Sequence, residues 1–345
     1  MRYGKGVDLI STNRPIFCIT PTVYQHANAK FAIVKKIIGY LRRYYSEDFN
    51  GKVFLGIFIF TGIGVWFNYF HPWLLETKMR LSWKPSLNLY FFLLFAVPYL
   101  GSFLIQSLFT KDYNLLKNRD FWLISIFAIL IFTLRSTSHL YAQGVYTKFQ
   151  DLPLALYWYK IGVSFFRMSI VLIPIFFLWY FRDRKEQPLY GFTLKNYDTR
   201  PYLVMLAVMI PLIAWASFQA DFLSTYPRGG ELPGLSLLNK ADHKYFALYE
   251  FVYGIDFVFI EFFFRGFLIL ALARIAGPGV ILPMASFYVF IHFGKPMGET
   301  ISSFFGGTLL GIIAYYSRSI AGGIIVHMGI AWMMEAGALL SKIYK

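Results

Sequence analysis

Long apolar runs, broken by short polar segments, dominate the chain. About 20 mostly apolar residues cross a bilayer as a helix, and such stretches fall near 53–71, 87–109, 118–138, 154–181, 201–219, 246–273, 278–293, 299–317 and 320–340. That pattern predicts an all-α polytopic bundle of nine spans. Eight is the alternative count: the third run meets Arg135, and the seventh is short and opened by Gly277, Pro278 and Gly279, which predicts a tilted or incomplete crossing. Removing one span moves the C-terminus to the other side.

Composition agrees with the pattern. Of 345 residues 57% are hydrophobic, 21% aromatic and 15% charged, and the mean hydropathy is +0.52, which excludes a soluble globular domain. The formal charge is +15. Between apolar runs this excess reads as topology rather than nucleic-acid binding. With Arg167 and Arg265 left inside spans, assigning every other Lys and Arg to its nearest connecting segment puts 19 on the side of the N-terminus and 12 on the other, so a cytoplasmic N-terminus in a multi-pass cell-membrane protein is expected. A single cysteine, Cys18, excludes an intrachain disulfide and a thiolate-rich metal site.

Residues 1–52 form a basic arm without the features of a secretory signal. Within it Phe31, Val34, Ile38, Leu41 and Tyr45 share one helical face, and Lys35, Lys36, Arg42 and Arg43 occupy the rest. This is the pattern of an amphipathic helix on an anionic leaflet, or of a topogenic basic flank. Residues 53–219 then hold the first five spans. The Gly- and Pro-containing stretch 220–245 divides them from the last four, 246–345, and no repeat relates the two halves. The aromatic-rich first five spans, with Tyr157, Trp158 and Tyr159 among them, fit interfacial anchoring in membrane lipid.

Ionisable side chains concentrate after residue 245. In hydrocarbon each costs about 2.5–3.5 kcal/mol or more at the centre, so they face protein or trapped water. Glu261 and Arg265 stand at i, i+4 and pair on one side of a helix, beside Gly266, which admits a close neighbour. That pair alone reads as a structural pin. His292 ends an apolar run, and His327 lies about 10 Å into its helix. Two imidazoles, an acid and a guanidinium on helices that pack together make a water-activating or metal-binding centre an option.

Order and spacing carry a resemblance. Glu261-x-x-x-Arg265-Gly266, then Tyr288-x-x-x-His292, then the span with Gly306, Gly307 and Gly311, then SIAGGIIVH ending in His327, resemble the CAAX-protease and bacteriocin-processing (CPBP) family of intramembrane endopeptidases over about 246–340. The resemblance implies a C-terminal four-helix core around a polar cavity, and hydrolysis of a membrane-associated protein or peptide by a metal-free glutamate mechanism. Catalytic residues carried over are Glu261, Arg265, His292 and His327: Glu261 and His292 hold the water, His327 donates to the oxyanion, and Arg265 orients Glu261.

Two positions depart from that family's pattern. Ile260 stands where the first, water-activating Glu is expected, and Ala331 stands where His-x-x-x-Asn supplies an amide. Tyr288 for Phe keeps an aromatic ring. Glu250 lies about 16 Å from Glu261 along the axis, Glu335 follows Ala331 by one turn, and Asp256 is rotated about 140° from Glu261; each reads as a structural carboxylate, and Arg167 as a snorkelling or helix-pairing residue. Glu261, His292 and His327 match a His₂Glu zinc set in type, but nothing in their spacing fixes a tetrahedron; no metal and no cofactor are expected. Three functions follow: an endopeptidase, a catalytically degenerate homologue acting as a membrane scaffold or partner-binding subunit, and, behind both, a transporter or channel subunit.

Overall fold

A computed structural model describes residues 36–151, 154–194, 198–229, 235–236 and 239–343. Most of the basic arm therefore lies outside the described residues. Among those described there is no strand. Short turns aside, the helices are α1 (36–48, ending in the π-helical Tyr44–Asp48), α2 (Gly51–Phe70), α3 (Trp73–Leu81), α4 (Leu87–Thr110), α5 (Arg119–Ser136), α6 (Ser138–Phe149) and α7 (Ala155–Leu178, extended to Asp183). Then come α8 (Arg200–Ala216), α9 (His243–Glu261, running on through Phe262–Leu270 to Ala276), α10 (Ile281–Phe290), α11 (Met297–Ser317) and α12 (Ala321–Ile343).

Every expected span has a helix. Five described helices are long and apolar enough to cross a membrane, α2, α4, α7, α11 and α12, and a sixth is added if α5 and α6, bent by 47°, count as one. The seventh expected span shrinks to the ten residues of α10, all of them buried. At 1.5 Å per residue that is about 15 Å, so α10 is a core helix that needs its flanking turns to bridge the bilayer. Helix starts follow ordinary capping: Asn50 accepts from the Lys52 and Val53 amides, and Asn118 from those of Asp120 and Phe121.

The largest core joins both halves of the chain. Phe95 of α4 and Phe132 of α5 interlock with Phe263 and Phe264 of α9 and Phe287 of α10; the Phe132 and Phe263 rings are 4.8 Å apart, and those of Phe95 and Phe287 5.1 Å. In lipid, where apolar transfer no longer drives helix association, such close packing is what holds helices together. Small residues bring backbones near: Gly307 and Gly311 of α11 face Tyr288 and Met284 of α10, while Gly306 faces open space. The partner of Gly266 is not a helix. It is the carbonyl of Tyr190, in a strap (Leu189–Gly191) that crosses α9 and whose Gly191 carbonyl accepts from the Ile320 amide.

The described part of the basic arm packs on the bundle through one side and leaves part of the expected apolar face exposed. Ile37, Tyr40, Leu41 and Tyr44 pack against the bundle, whereas Ile38 and Tyr45 remain exposed. Tyr40 stacks on Tyr316 at the end of α11, which also takes the Arg43 guanidinium over its ring. Tertiary packing against an aromatic end-face thus fixes which side of the arm meets the bundle.

Candidate functional site

Near the end of its regular α-helical part, α9 turns into a π-helical segment, FFFRGFLIL, all nine residues buried. Nothing in the sequence announces this change of pitch; π-segments are rare and recur at functional sites. Glu261 stands at the junction, 0% exposed, and its Oε1 lies 2.9 Å from Arg265 Nη1. The same oxygen accepts from His327 Nδ1 on α12 at 2.8 Å. Because a carboxylate only accepts, this bond places the imidazole proton on Nδ1 and leaves Nε2 as an acceptor. The Tyr288 hydroxyl donates to that Nε2 at 3.1 Å. Arg265 closes the group by lying 4.1 Å over the Tyr288 ring.

Four of the residues singled out in sequence are thus accounted for: Glu261, Arg265 and His327 converge, and His292 stands apart, linked through Tyr288. Its Nδ1 donates to the Tyr288 carbonyl at 2.7 Å, the two rings are 4.6 Å apart, and its Nε2 is 4.0 Å from Glu299 Oε1. Glu299 is held in turn by Lys295 at 2.6 Å and by the Tyr226 hydroxyl at 2.9 Å. Tyr226, in the loop outside the spans, has its phenol pushed far above the ordinary range, first by burial and then by the Glu299 charge. No group of three His, Cys, Asp or Glu among the described residues converges as a metal site.

A cavity of about 790 Å³ opens beside this group, within the size range of small-molecule sites. His327, Tyr288, His292 and Ile260 line it; Glu261 and Arg265 stand behind that wall. The Ile260 side chain occupies the lining position that a water-activating acid would need, and Ala331 is buried, offering no amide.

The polar residues judged structural divide in two. Glu335 accepts from the Arg228 and Gly229 amides at 2.9 and 3.1 Å, with Glu250 beside it, and so ties the loop after α8 to α12. Asp256 and Arg167 instead line the cavity. Asp256 Oδ2 accepts from Arg135 Nη2 at 2.6 Å, and Arg167 donates to Ser164 at 3.0 Å. Asp256 is turned away from Glu261, as its spacing requires, but it precedes Ile260 by one turn and shares that face. Measuring its rotation from Ile260 would have found it. Tyr288 was undervalued for a similar reason: its ring matters less than the hydroxyl that the expected Phe lacks.

With the geometry in place, the comparisons add one result. Residues 243–333 match the family model described as type II CAAX prenyl endopeptidase Rce1-like. Over that segment the chain is similar to CAAX prenyl endopeptidases, and its long apolar helices are those of a multi-pass membrane protein. No curated protein and no solved structure matches the chain. The Rce1-like segment runs from the start of α9 to the middle of α12, so it contains Glu261, Arg265, Tyr288, His292 and His327, and stops short of Glu335. The cavity's remaining walls, from α2, α3, α4, α5, α6, α7 and the loop at Arg228, lie outside the matched segment.

Proposed function

We propose that the chain is an intramembrane endopeptidase of CPBP type, acting on a membrane-associated protein or peptide, in which the Glu261–His327 pair replaces the missing first glutamate as the base. The bond from His327 Nδ1 to the fully buried Glu261 carries this reading. It fixes the tautomer, aims Nε2 at Tyr288 and the cavity, and supplies a carboxylate to balance an imidazolium. His292 Nε2, an acceptor because Nδ1 is committed to a carbonyl, holds a water. His327 takes a proton from that water, directly or through the Tyr288 hydroxyl, as the water oxygen bonds to the scissile carbonyl carbon. The Tyr288 hydroxyl then donates to the oxyanion. When the C–N bond breaks, the imidazolium returns the proton to the leaving amine. Arg265 acts on Glu261, not on substrate.

One observation favours a second reading, a degenerate homologue that binds without cutting: Ile260 and Ala331 remove two functional groups at once. Liposomes carrying the full chain and a library of membrane-anchored peptides separate the two. The endopeptidase predicts cleavage that Glu261→Gln and His327→Ala abolish at unchanged protein level. Wild-type rates in both variants would refute the base assignment. No cleavage by the parent, with cleavage gained by Ile260→Glu, would establish the degenerate reading. For topology, the concentration of Lys and Arg in 1–52, 110–120 and 182–200 supports a cytoplasmic N-terminus in a cell membrane.

A further inference from the structure

A second group of cavity-lining side chains lies apart from the Glu261–His327 pair. Arg135 of α5 is 7% exposed; its Nη2 is bonded to Asp256, and its Nη1 has no partner. Arg167 of α7 has only the Ser164 hydroxyl on one nitrogen, and its Nε is buried without a partner. Arg135 and Arg228 are both within electrostatic reach of Arg167, and Arg228 is likewise within reach of Lys78 on α3. Among the described residues neither Lys78, Arg167 nor Arg228 forms an ion pair within 4.0 Å, and the Arg228 side chain rests on the Tyr226 ring. Apart from Lys295, which is paired with Glu299, four cations thus line the cavity against a single lining carboxylate, Asp256. Glu335 and Glu250 stand behind it, Glu335 spent on backbone amides.

Four like charges with one counter-ion among them, and buried guanidinium nitrogens left idle on Arg135 and Arg167, favour an anion as ligand. Its charge indicates which anion. A carboxylate brings one negative charge, whereas a phosphomonoester brings about 1.5–2 at neutral pH and three acceptor oxygens, closer to the cationic excess. Apolar walls at Phe91, Phe95 and Phe132 adjoin the group. We propose that Arg135, Arg167, Arg228 and Lys78 form a subsite for a phosphomonoester, with an attached acyl chain lying along these phenylalanines where the phosphate is a lipid headgroup. This stands whether or not the chain hydrolyses peptides.

The test uses the purified full chain in neutral-detergent micelles, with lysophosphatidic acid, lysophosphatidylcholine and inorganic phosphate as probes and native mass spectrometry as the readout. Lysophosphatidic acid should be retained at least about 10-fold over lysophosphatidylcholine. Arg167→Gln and Lys78→Gln should each lower that retention about 10-fold, the weight of one charge-assisted hydrogen bond, while Lys52→Gln leaves it unchanged. Lys78 is exposed on its helix, so its variant is read without a folding defect. Displacement by millimolar inorganic phosphate would make the free anion a sufficient ligand; retention without displacement would assign the site to the lipid headgroup. Equal retention of both lipids by the parent, or unchanged retention in both variants, overturns the proposal.

Discussion

Replacing Arg265 by Met isolates what the buried pair contributes. Methionine fills much of the volume of arginine and removes its charge, leaving the Glu261 carboxylate 0% exposed with His327 as its remaining partner. Breaking a buried ion pair by deleting one partner costs about 3–5 kcal/mol, because the other charge stays desolvated. Here His327 can take up a proton and supply part of the lost positive charge, so the loss should fall near the lower end, about 3 kcal/mol. Glu261→Gln leaves the complementary defect, a guanidinium 1% exposed with Nε and Nη1 already lacking hydrogen-bond partners, and should cost about as much. In the double variant neither charge remains, and a neutral isosteric replacement of a buried pair is often tolerated. Its cost should therefore be smaller than that of either single variant. Reversible unfolding in mixed micelles titrated with dodecyl sulfate gives the three values, and the cycle yields the coupling. Additive single-variant costs, or Arg265→Met costing under about 1 kcal/mol, would refute the idea that these two groups stabilise each other.

Two more outcomes follow from the same core. Gly323 of α12 presses on the Glu261 carboxylate, so that a Cβ there would overlap Oε2; Gly323→Ala should cost about 1–3 kcal/mol as overpacking and lower any peptidase rate, read by thermal unfolding and by cleavage in parallel. Tyr190, in the strap outside the spans, is buried and donates to Asp183 at 2.6 Å; burial first, and then that bond, hold its phenol well above the ordinary value near 10. Its folded-state value is raised, so its contribution is whole below about pH 10 and declines as pH rises beyond, where the unfolded chain loses the proton first. Tyr190→Phe should remove up to about 1.4 kcal/mol per pH unit of that alkaline slope, measured by unfolding between pH 9 and 11; an unchanged slope would contradict the buried bond.

The helices were legible because lipid forces a simple code: each crossing must satisfy its own backbone and present apolar side chains. Hence runs such as 87–109 and 299–317 met their helices almost residue for residue. Less legible were features decided by three-dimensional packing. The ten-residue α10, the π-helical stretch after Glu261 and the strap over Gly266 depend on neighbours far away in sequence. The side of α1 that packs on the bundle was equally out of reach, since the aromatic end of α11 takes up Tyr40 and Tyr44 and leaves Ile38 and Tyr45 exposed.

The site divides along a sharper line. Motif spacing correctly marked Glu261 and Arg265 as one helical pair and His327 as a deep polar group, because i, i+4 geometry and depth are properties of a single helix. Spacing does not carry their roles, because a role depends on which side of a wall an atom faces. Glu261 lies behind the cavity and reaches it only through His327; Ile260, one residue earlier, faces the cavity with nothing to offer. In the proposed mechanism the acceptor is an imidazole nitrogen in place of a carboxylate, and the tyrosine at 288, where a phenylalanine was expected, supplies the hydroxyl that meets that nitrogen. On that proposal, a site without the first carboxylate but with the second, the arginine and both histidines uses a relayed base in place of a direct one. Its chemistry is then limited by how well Glu261 holds His327, and Glu261 is shared by the unfolding cycle, which reads its pairing with Arg265, and the cleavage assay, which reads its pairing with His327.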